Sequence, residues 1–396
     1  GSRHPETVVP RLRFPEFREA DAWNEEKLEE LIVTVSPPVK LQTSSYLAAG
    51  KFPIIDQSQE AICGWTDDAQ AVVEEPLPLI VFGDHTCALK FVERPFAQGA
   101  DGIKILAAKP AVSVEYLFHS LNHQPLVMED YKRHFSALKE RRVFFPDVES
   151  GEQRKITDCL TSLDEVIAAQ ARKVEALKVH KRGLLQQMFP REGETRPRLR
   201  FPEFRKAREW KAKPAGKLFG NRKEGGEEGL PIYSVTVNAG MIPRASFDRD
   251  FYDIEDPAAN KKVCEGDIAY NMMRMWQGAQ GVAIEDCMVS PAYVVLSPVE
   301  GVCSEFFAYL FKLPQSLELL TAYSRGLTKD RLRLYFDDFA RMPLCVPEYE
   351  EQKRIADCLS SLDTHITAES HQLAALKTHK QGLMQQLFPA PEGAAA

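Results

Sequence analysis

The sequence has no run approaching 18 consecutive apolar residues, which excludes a hydrophobic helix spanning a bilayer. It has no C-x-x-C pair among its eight cysteines, at 63, 87, 159, 264, 287, 303, 345 and 358. Zinc sites need ligands clustered at short spacing, so no metal is expected. The cysteines, set in apolar surroundings, are expected to be reduced and mostly buried, as in a cytoplasmic protein. A P-loop, a G-x-G-x-x-G opening a helix, a G-x-S-x-G elbow and an H-E-x-x-H pair are all missing. Asp84-His85-Thr86 is a polar triplet after a strand, but no partner motif makes it a catalytic centre, and no catalytic residue is assigned. Positive charge is also scarce. Against 57 Asp and Glu stand 50 Lys and Arg, for a net charge of −7. That excludes a uniformly basic nucleic-acid binder and leaves room for local basic patches. The start, Gly1-Ser2-Arg3, has neither an initiator Met nor an apolar signal core, and Gly1-Ser2 reads as a cleavage scar. What remains is ordinary globular composition, 44% hydrophobic and 27% charged, in 396 residues, enough for two or three domains.

The chain repeats itself. Pro10-Arg11-Leu12-Arg13-Phe14-Pro15-Glu16-Phe17-Arg18 recurs unchanged as Pro197 to Arg205, and Trp23 recurs as Trp210 at the same offset of 187. Residues 152–190 align without a gap to 351–389, identical at 22 of 39 positions, at an offset of 199. Between these anchors the two copies show no obvious match. The pattern predicts two similar frames, each holding a variable domain.

The longer repeat predicts a helix over 152–188, free of Pro and with Gly183 alone near its end. Its apolar stripe is Ile156, Leu160, Leu163, Ile167, Val174, Leu177, Leu184 and Met188, with Gln170 and Lys181 in the gaps. The second copy gives Ile355, Leu359, Leu362, Ile366, Leu373, Leu376, Leu383 and Leu387, with Glu369 and Lys380 in the gaps. Alternating steps of four and three make a coiled-coil seam. A helix of roughly 55 Å cannot bury such a stripe within one small domain, so its partner is the other copy. A pseudo-two-fold axis makes the pair antiparallel. Centred on the midpoint, it sets Gln170 against Glu369 as a register marker; the alternative is that each faces solvent. The variable segments read as mixed, with strands at 79–82, 102–106, 230–235 and 293–296, and helical patches at 113–118 and 304–310.

Two basic runs lie at equivalent places ahead of the long helices. Lys132, Arg133, Lys139, Arg141 and Arg142 stand against Glu140, and Arg325, Lys329, Arg331 and Arg333 against Asp330. A basic run is usually a solvated face. Paired runs in a duplicated frame suit phosphate contact, with Lys132, Arg133, Arg141, Arg142, Arg325, Lys329, Arg331 and Arg333 as candidates.

The layout resembles the specificity subunit of type I restriction-modification enzymes, over nearly the whole chain. The resemblance rests first on Glu152-Gln153-Arg154-Lys155-Ile156 and Glu351-Gln352-Lys353-Arg354-Ile355, each opening a helix that ends in Leu-x-Gln-Gln-x-Phe-Pro. It extends to residues 52–58 and 81–86 in the first domain, and 266–271 and 289–296 in the second. It implies an α+β fold of two target-recognition domains joined by two long helices in an antiparallel coiled coil, with a pseudo-two-fold internal repeat. The expected segments are an N-terminal connector (1–20), a first recognition domain (21–148), a spacer helix (149–190), a linker (191–207), a second domain (208–348), a second helix (349–389) and a disordered tail (390–396). It implies a non-catalytic, cytoplasmic subunit of a bacterial defence system that binds double-stranded DNA. Each domain would read half of a split target. The helices would dock two methyltransferase subunits and, through them, the restriction subunits. S-adenosylmethionine, ATP and Mg would be used by those partners, and no cofactor by this chain.

Base edges are read by side chains such as Arg, Lys, Asn and Gln. Near strand ends these point to Gln57, Ser58, Gln59, Asp84, His85 and Lys90 in the first domain and to Asn271, Arg274 and Gln277 in the second. For residues 271–278 a second reading is open, with the Met residues and Trp276 in the core. The rival for the whole chain is a DNA-independent coiled-coil scaffold with two partner-binding domains, which the acidic charge balance favours.

Overall fold

The computed structural model describes residues 8–100, 102–129, 133–247 and 256–389. They fall into two units, Gly1–Ala171 with His371–Ala396, and Arg172–Ser370. The first contains β1 (Asn24–Lys27), α1 (Leu28–Leu31), β2 (Ile32–Val35), β3 (Phe52–Ile55), β4 (Gly64–Thr66), β5 (Val72–Val73), β6 (Leu79–Gly83), β7 (Leu89–Val92), β8 (Phe96–Gln98), β9 (Ile103–Ala108), α2 (Val114–His123), α3 (Phe135–Lys139) and β10 (Arg142–Phe145). The long helix α4 (Glu152–Met188) starts in this unit and ends in the other. The second contains β11 (Lys211–Pro214), β12 (Phe219–Asn221), β13 (Ile232–Thr236), β14 (Gly240–Pro243), β15 (Lys261–Val263), β16 (Ile268–Asn271), β17 (Gln280–Val282), β18 (Cys287–Val289), β19 (Tyr293–Pro298), α5 (Ser304–Leu310), α6 (Pro314–Tyr323), α7 (Phe336–Phe339) and β20 (Pro343–Val346). The second long helix, α8 (Tyr349–Leu387), starts here and ends in the first unit.

The two variable domains share a topology that their sequences do not announce. The first has sheets ordered β2-β9-β6-β7 and β4-β3-β8-β5, and the second β12-β19-β16-β17 and β14-β13-β18-β15. In each domain the second sheet contains a parallel pair, β3 with β8 and β13 with β18. Successive strand residues point to opposite faces, and the core follows that alternation. Ile80 and Phe82 pack with Tyr116 and Leu117 of α2, whereas Leu79 and Val81 pack with Ile55, Val73 and Phe96 of the other sheet. Likewise Ile268 and Tyr270 face Phe306 and Phe307 of α5, while Ala269 faces Tyr233 and Val289. Burying one such side chain contributes about 1.5–3 kcal/mol.

The Glu-Gln that opens each repeat is a clasp. Both Glu152 oxygens accept from Arg13, at 2.8 and 2.6 Å, and Trp23 Nε1 donates to Oε2 at 3.3 Å. Gln153 accepts from the Ser113 N–H and donates to the Ala111 and Pro146 carbonyls. In the second unit Arg200 holds Glu351 at 2.7 and 2.6 Å, and Gln352 takes the Cys303 N–H and donates to the Pro347 carbonyl. These Glu and Gln side chains are buried, a position tolerable only with such partners. The short repeat thus exists to supply the guanidinium. It also covers a helix end: the Leu12 N–H donates to the Gln386 carbonyl, and the Leu199 N–H to that of Gln187.

The long helices pair antiparallel within each unit. In the second, Lys173 meets Glu369 and Lys181 meets Asp363; in the first, Lys380 meets Asp164. Ile156 and Leu160 join the first domain's core together with Met384, Leu387 and Phe388, and Ile355 and Leu359 join the second's with Met188 and Phe189. The domains therefore do bury the ends of the stripe, contrary to the expectation from helix length. Leu163, Ile167, Gln170 and Leu177 of α4, and Leu362, Ile366, Glu369, Leu373 and Leu376 of α8, are half-buried, while Val174 is buried. Glu369 also contacts His365, at 3.1 Å. Polar seam positions recur in both repeats, Lys181 with Lys380 and Gln170 with Glu369, and it is the lysines whose ion pairs are reproduced.

All eight cysteines are free. Burial pushes the Cys287 thiol up to about 12 and those of Cys63 and Cys303 up to about 11, so they stay protonated. Among the described residues no helix is long and apolar enough to cross a membrane, and no cluster of His, Cys, Asp and Glu could hold a metal ion.

Candidate nucleic-acid interface

In each domain the hairpin at one edge of the first sheet, β6–β7 or β16–β17, ends in a loop. Against it rests the segment that leads into the next short helix. The His134 N–H donates to the Asp84 carbonyl at 2.8 Å in one domain, and the Leu334 N–H to the Met272 carbonyl at 2.9 Å in the other. Each candidate base-reading loop is thus tied to part of a basic run. The sequence proposed both kinds of segment without showing that they meet.

In the second domain the hairpin loop is a built turn. Asn271 Oδ1 accepts from the Met273 N–H, Trp276 Nε1 donates to the Met273 carbonyl, and Gly278 closes the loop at φ +83°. Met275 is fully buried, whereas Arg274 and Gln277 are exposed. Of the two readings open for this segment, each fits different residues: Met275 belongs to the core, and Arg274 and Gln277 face outward. Asn271 is half-buried and engaged in the turn.

The neighbouring basic segment is closed by a two-way bridge between Arg325 and Arg333, whose N–H groups each donate to the other's carbonyl at 2.8 Å. The Arg325 guanidinium is committed to Asp338, Nε lying 2.6 Å from Oδ2, and Arg341 pairs with the same carboxylate. The Arg325 hydrogen bond is the main force holding the Asp338 carboxyl below its ordinary range. Lys329, Arg331 and Arg333 are exposed and make no ion pair among the described residues. They are the cations this loop can offer to phosphate.

The first domain departs further from expectation. Asp84 is buried, and its carboxylate accepts from the His134 and Phe135 N–H groups at 2.9 and 2.8 Å, capping α3. Its carboxylate serves as a strut within the domain. Lys90 is also withdrawn: its ammonium donates to the Asp56 carbonyl at 2.7 Å, and burial lowers its pKa. Thr86 donates to the Gln57 carbonyl at 2.5 Å, drawing the Gln57–Gln59 segment against the hairpin. Gln57 Oε1 and Ser58 Oγ are buried without a hydrogen-bond partner among the described residues. His85 is half-buried and Gln59 exposed.

The first basic run is largely spoken for. Arg141 is half-buried, donates to the Gln124 and Pro125 carbonyls and shapes the loop before α3. Arg142 pairs with Glu25 across the β1–β10 ladder at 2.6 Å. Neither is free for phosphate without breaking a contact, because pairing along a sequence cannot show what lies across a strand. Arg133 is exposed, and Lys132 lies outside the described residues.

Residues 232–378 match the family model described as the type I restriction modification DNA specificity domain. The fold is similar to that of a type I restriction-modification system S subunit from M. genitalium. The TM-score is 0.63 with 14% identity, covering 97% of this chain and 100% of that one. A second similar structure comes from work on complex assembly and conformational transition of the type I R-M system. Its TM-score is 0.51 with 16% identity, covering 93% of this chain and 98% of the other. No curated protein sequence matches the chain. The matched segment is thus similar to a DNA specificity domain, and the fold of the chain is similar to that of type I restriction-modification S subunits. The family match lies within the second half of the chain, and the similarity of fold extends over 97% of it.

Proposed function

We propose that the chain is the sequence-reading subunit of a type I restriction-modification complex, each unit reading one half of a split DNA target. The observation that carries this is the duplicated meeting of hairpin loop and pre-helix segment, once in each domain. Two equivalent sites with different side chains suit two different half-sequences, because base edges are discriminated by side-chain donor and acceptor pattern. Arg274 and Gln277 are the base-reading candidates in the second domain, with Gln57, Ser58, Gln59 and His85 in the first. Lys329, Arg331, Arg333 and Arg133 would hold phosphates.

The frame fits docking. The clasps and ion pairs recur in both units, so two copies of one partner would meet like surfaces. Those partners would be two methyltransferase subunits, with restriction subunits joining through them. Adenine methylation, cleavage and the use of S-adenosylmethionine, ATP and Mg would belong to these partners, in the cytoplasm.

Methylation-sensitive sequencing of a host carrying this chain with its partner subunits tests the reading. It should show methylation at a sequence of two fixed blocks separated by an unread gap. Exchanging the second domain alone should change one block. A continuous target, or no change in methylation when the chain is deleted, would return it to a DNA-independent scaffold.

A further inference from the structure

The most exposed bulky apolar side chain that stands beside free cations is Leu327, 98% exposed at the tip of the loop between Arg325 and Arg333. A lone exposed Leu is unremarkable, but this one is held out by its surroundings. The Arg325–Arg333 bridge closes the loop, the Arg331 N–H donates to the Thr328 carbonyl, and Leu332 is buried beneath. Gly326 sits at φ +155°, and a Cβ there would lie 2.6 Å from the Arg331 carbonyl oxygen. Only glycine allows the turn that lifts Leu327 away from the protein.

The other domain repeats the feature with different residues. Leu327 lies seven positions before Leu334, the residue tied to the hairpin loop. Val127 lies seven positions before His134, which makes the equivalent tie. Val127 is 78% exposed and Met128 beside it 59%. These segments share no sequence, yet each carries an exposed aliphatic side chain seven positions before its tie to the hairpin loop. Ile284, 79% exposed, offers a contrast: Glu285 and Asp286 follow it, and phosphate would be repelled there.

Lys329, Arg331 and Arg333 follow Leu327 in the same closed loop, so a polyanion fits this loop better than an apolar protein face, which would have to desolvate three exposed cations that make no ion pair among the described residues. We infer that Leu327 is a DNA-contacting side chain: the cations hold phosphates while the aliphatic tip passes between them to touch the base pairs within the groove. Val127 is its counterpart in the first domain. Apolar side chains at such tips contact thymine methyl groups or press between base steps. This rests on the proposed DNA-reading function, and the test separates the two.

The full chain is titrated with a fluorescein-labelled duplex of mixed sequence over a range of salt, starting low where nonspecific binding is strongest. Leu327→Ala should weaken binding about tenfold and leave the salt slope unchanged, because no counterion is involved. Lys329→Ala with Arg331→Ala should flatten the slope by about two. Leu327→Asp should bind more weakly than Leu327→Ala. With Leu327→Trp, the duplex should shift the emission to shorter wavelength and shield it from acrylamide. Because Leu327 touches so little of its own chain, all these variants should keep the parent melting temperature. Salt-dependent binding of the parent, with Leu327→Ala unchanged and the Trp signal unmoved, overturns the contact and leaves the DNA reading standing. Failure of the parent to bind at any salt concentration overturns both. A Trp shift produced by methyltransferase subunit without DNA makes Leu327 a protein contact and likewise overturns the inference.

Discussion

Lys181 Nζ lies 2.5 Å from Asp363 Oδ1, and the repeat reproduces that pair as Lys380 and Asp164, also at 2.5 Å. In the second unit Tyr309 adds its hydroxyl to Asp363 at 2.7 Å and lies with its ring 5.1 Å from the Lys181 ammonium. Burial, then this hydrogen bond, raises the Tyr309 pKa well above the usual phenol range. The ion pair is only partly shielded, so its contribution is modest. Asp363→Ala is expected to cost about 1–2 kcal/mol, and a double-mutant cycle with Lys181→Ala should show coupling of about 1 kcal/mol. Asp363→Lys combined with Lys181→Asp should recover most of the loss of either alone. Additive single effects in urea unfolding would show that the pair does not set the register.

The clasp should matter more. Arg200 and Glu351 are almost completely withdrawn from water, at 6% and 3% side-chain exposure. Removing one partner strands a buried charge, so Glu351→Ala should cost about 3–5 kcal/mol. Glu203→Ala, which breaks an exposed pair with Arg354, should cost less than about 1 kcal/mol. Equal effects of the two on the unfolding midpoint would contradict the clasp.

His119, in α2 of the first unit, gives a pH dependence. Burial pushes its imidazole down to about 4, with Lys380 acting in the same direction and Asp164 opposing. The unfolded chain then binds the extra proton between about pH 6.5 and the lower folded value. The stabilisation is complete above about pH 6.5 and is lost as pH falls toward 4, with about 2 kcal/mol gone by about pH 5. His119→Gln should remove this share of the acid sensitivity. Urea midpoints of the two proteins at neutral and mildly acidic pH should converge as pH falls; parallel curves would show that the imidazole does not titrate this way.

On DNA, Arg331→Ala with Arg333→Ala should weaken all duplexes about equally and flatten the salt dependence by about two. Arg274→Ala or Gln277→Ala should instead cost about 1–3 kcal/mol at one position of one half-site. A panel of single-base variants distinguishes the two behaviours. Arg142→Ala, already committed to Glu25, should change neither affinity nor slope.

The repeated frame was legible because its residues answer to one another along a regular period. The steps from Ile156 to Met188 define a helix, and the Glu-Gln pair marks its start. The strands of the variable domains were legible where hydrophobic runs are short and bounded by turns. What could not be read was contact across distance. Asp84 looked like an available polar group until the strand brought it beneath His134 and Phe135. Lys90 and Arg141 looked like free cations until carbonyls from remote loops met them. Burial of a charge depends on residues far away in sequence, and periodicity carries no record of them. The same limit hid His119, and it hid Leu327, whose exposure is decided by how Gly326 turns against Arg331.

The clasp has a consequence for what the frame can hold. Among the described residues, the hydrogen bonds of Gln153 and Gln352 run to main-chain atoms: the N–H groups of Ser113 and Cys303, and the carbonyls of Ala111, Pro146 and Pro347. Every non-proline residue supplies such an N–H, and every residue such a carbonyl. The lock therefore demands a backbone path and almost nothing of side-chain identity. An unrelated domain of the same topology is expected to seat in the same frame. The frame itself is repeated, with nine residues unchanged in the short repeat and 22 of 39 in the long one. If each domain reads half of a target, as proposed above, a domain exchanged as a block would bring its half-specificity with it.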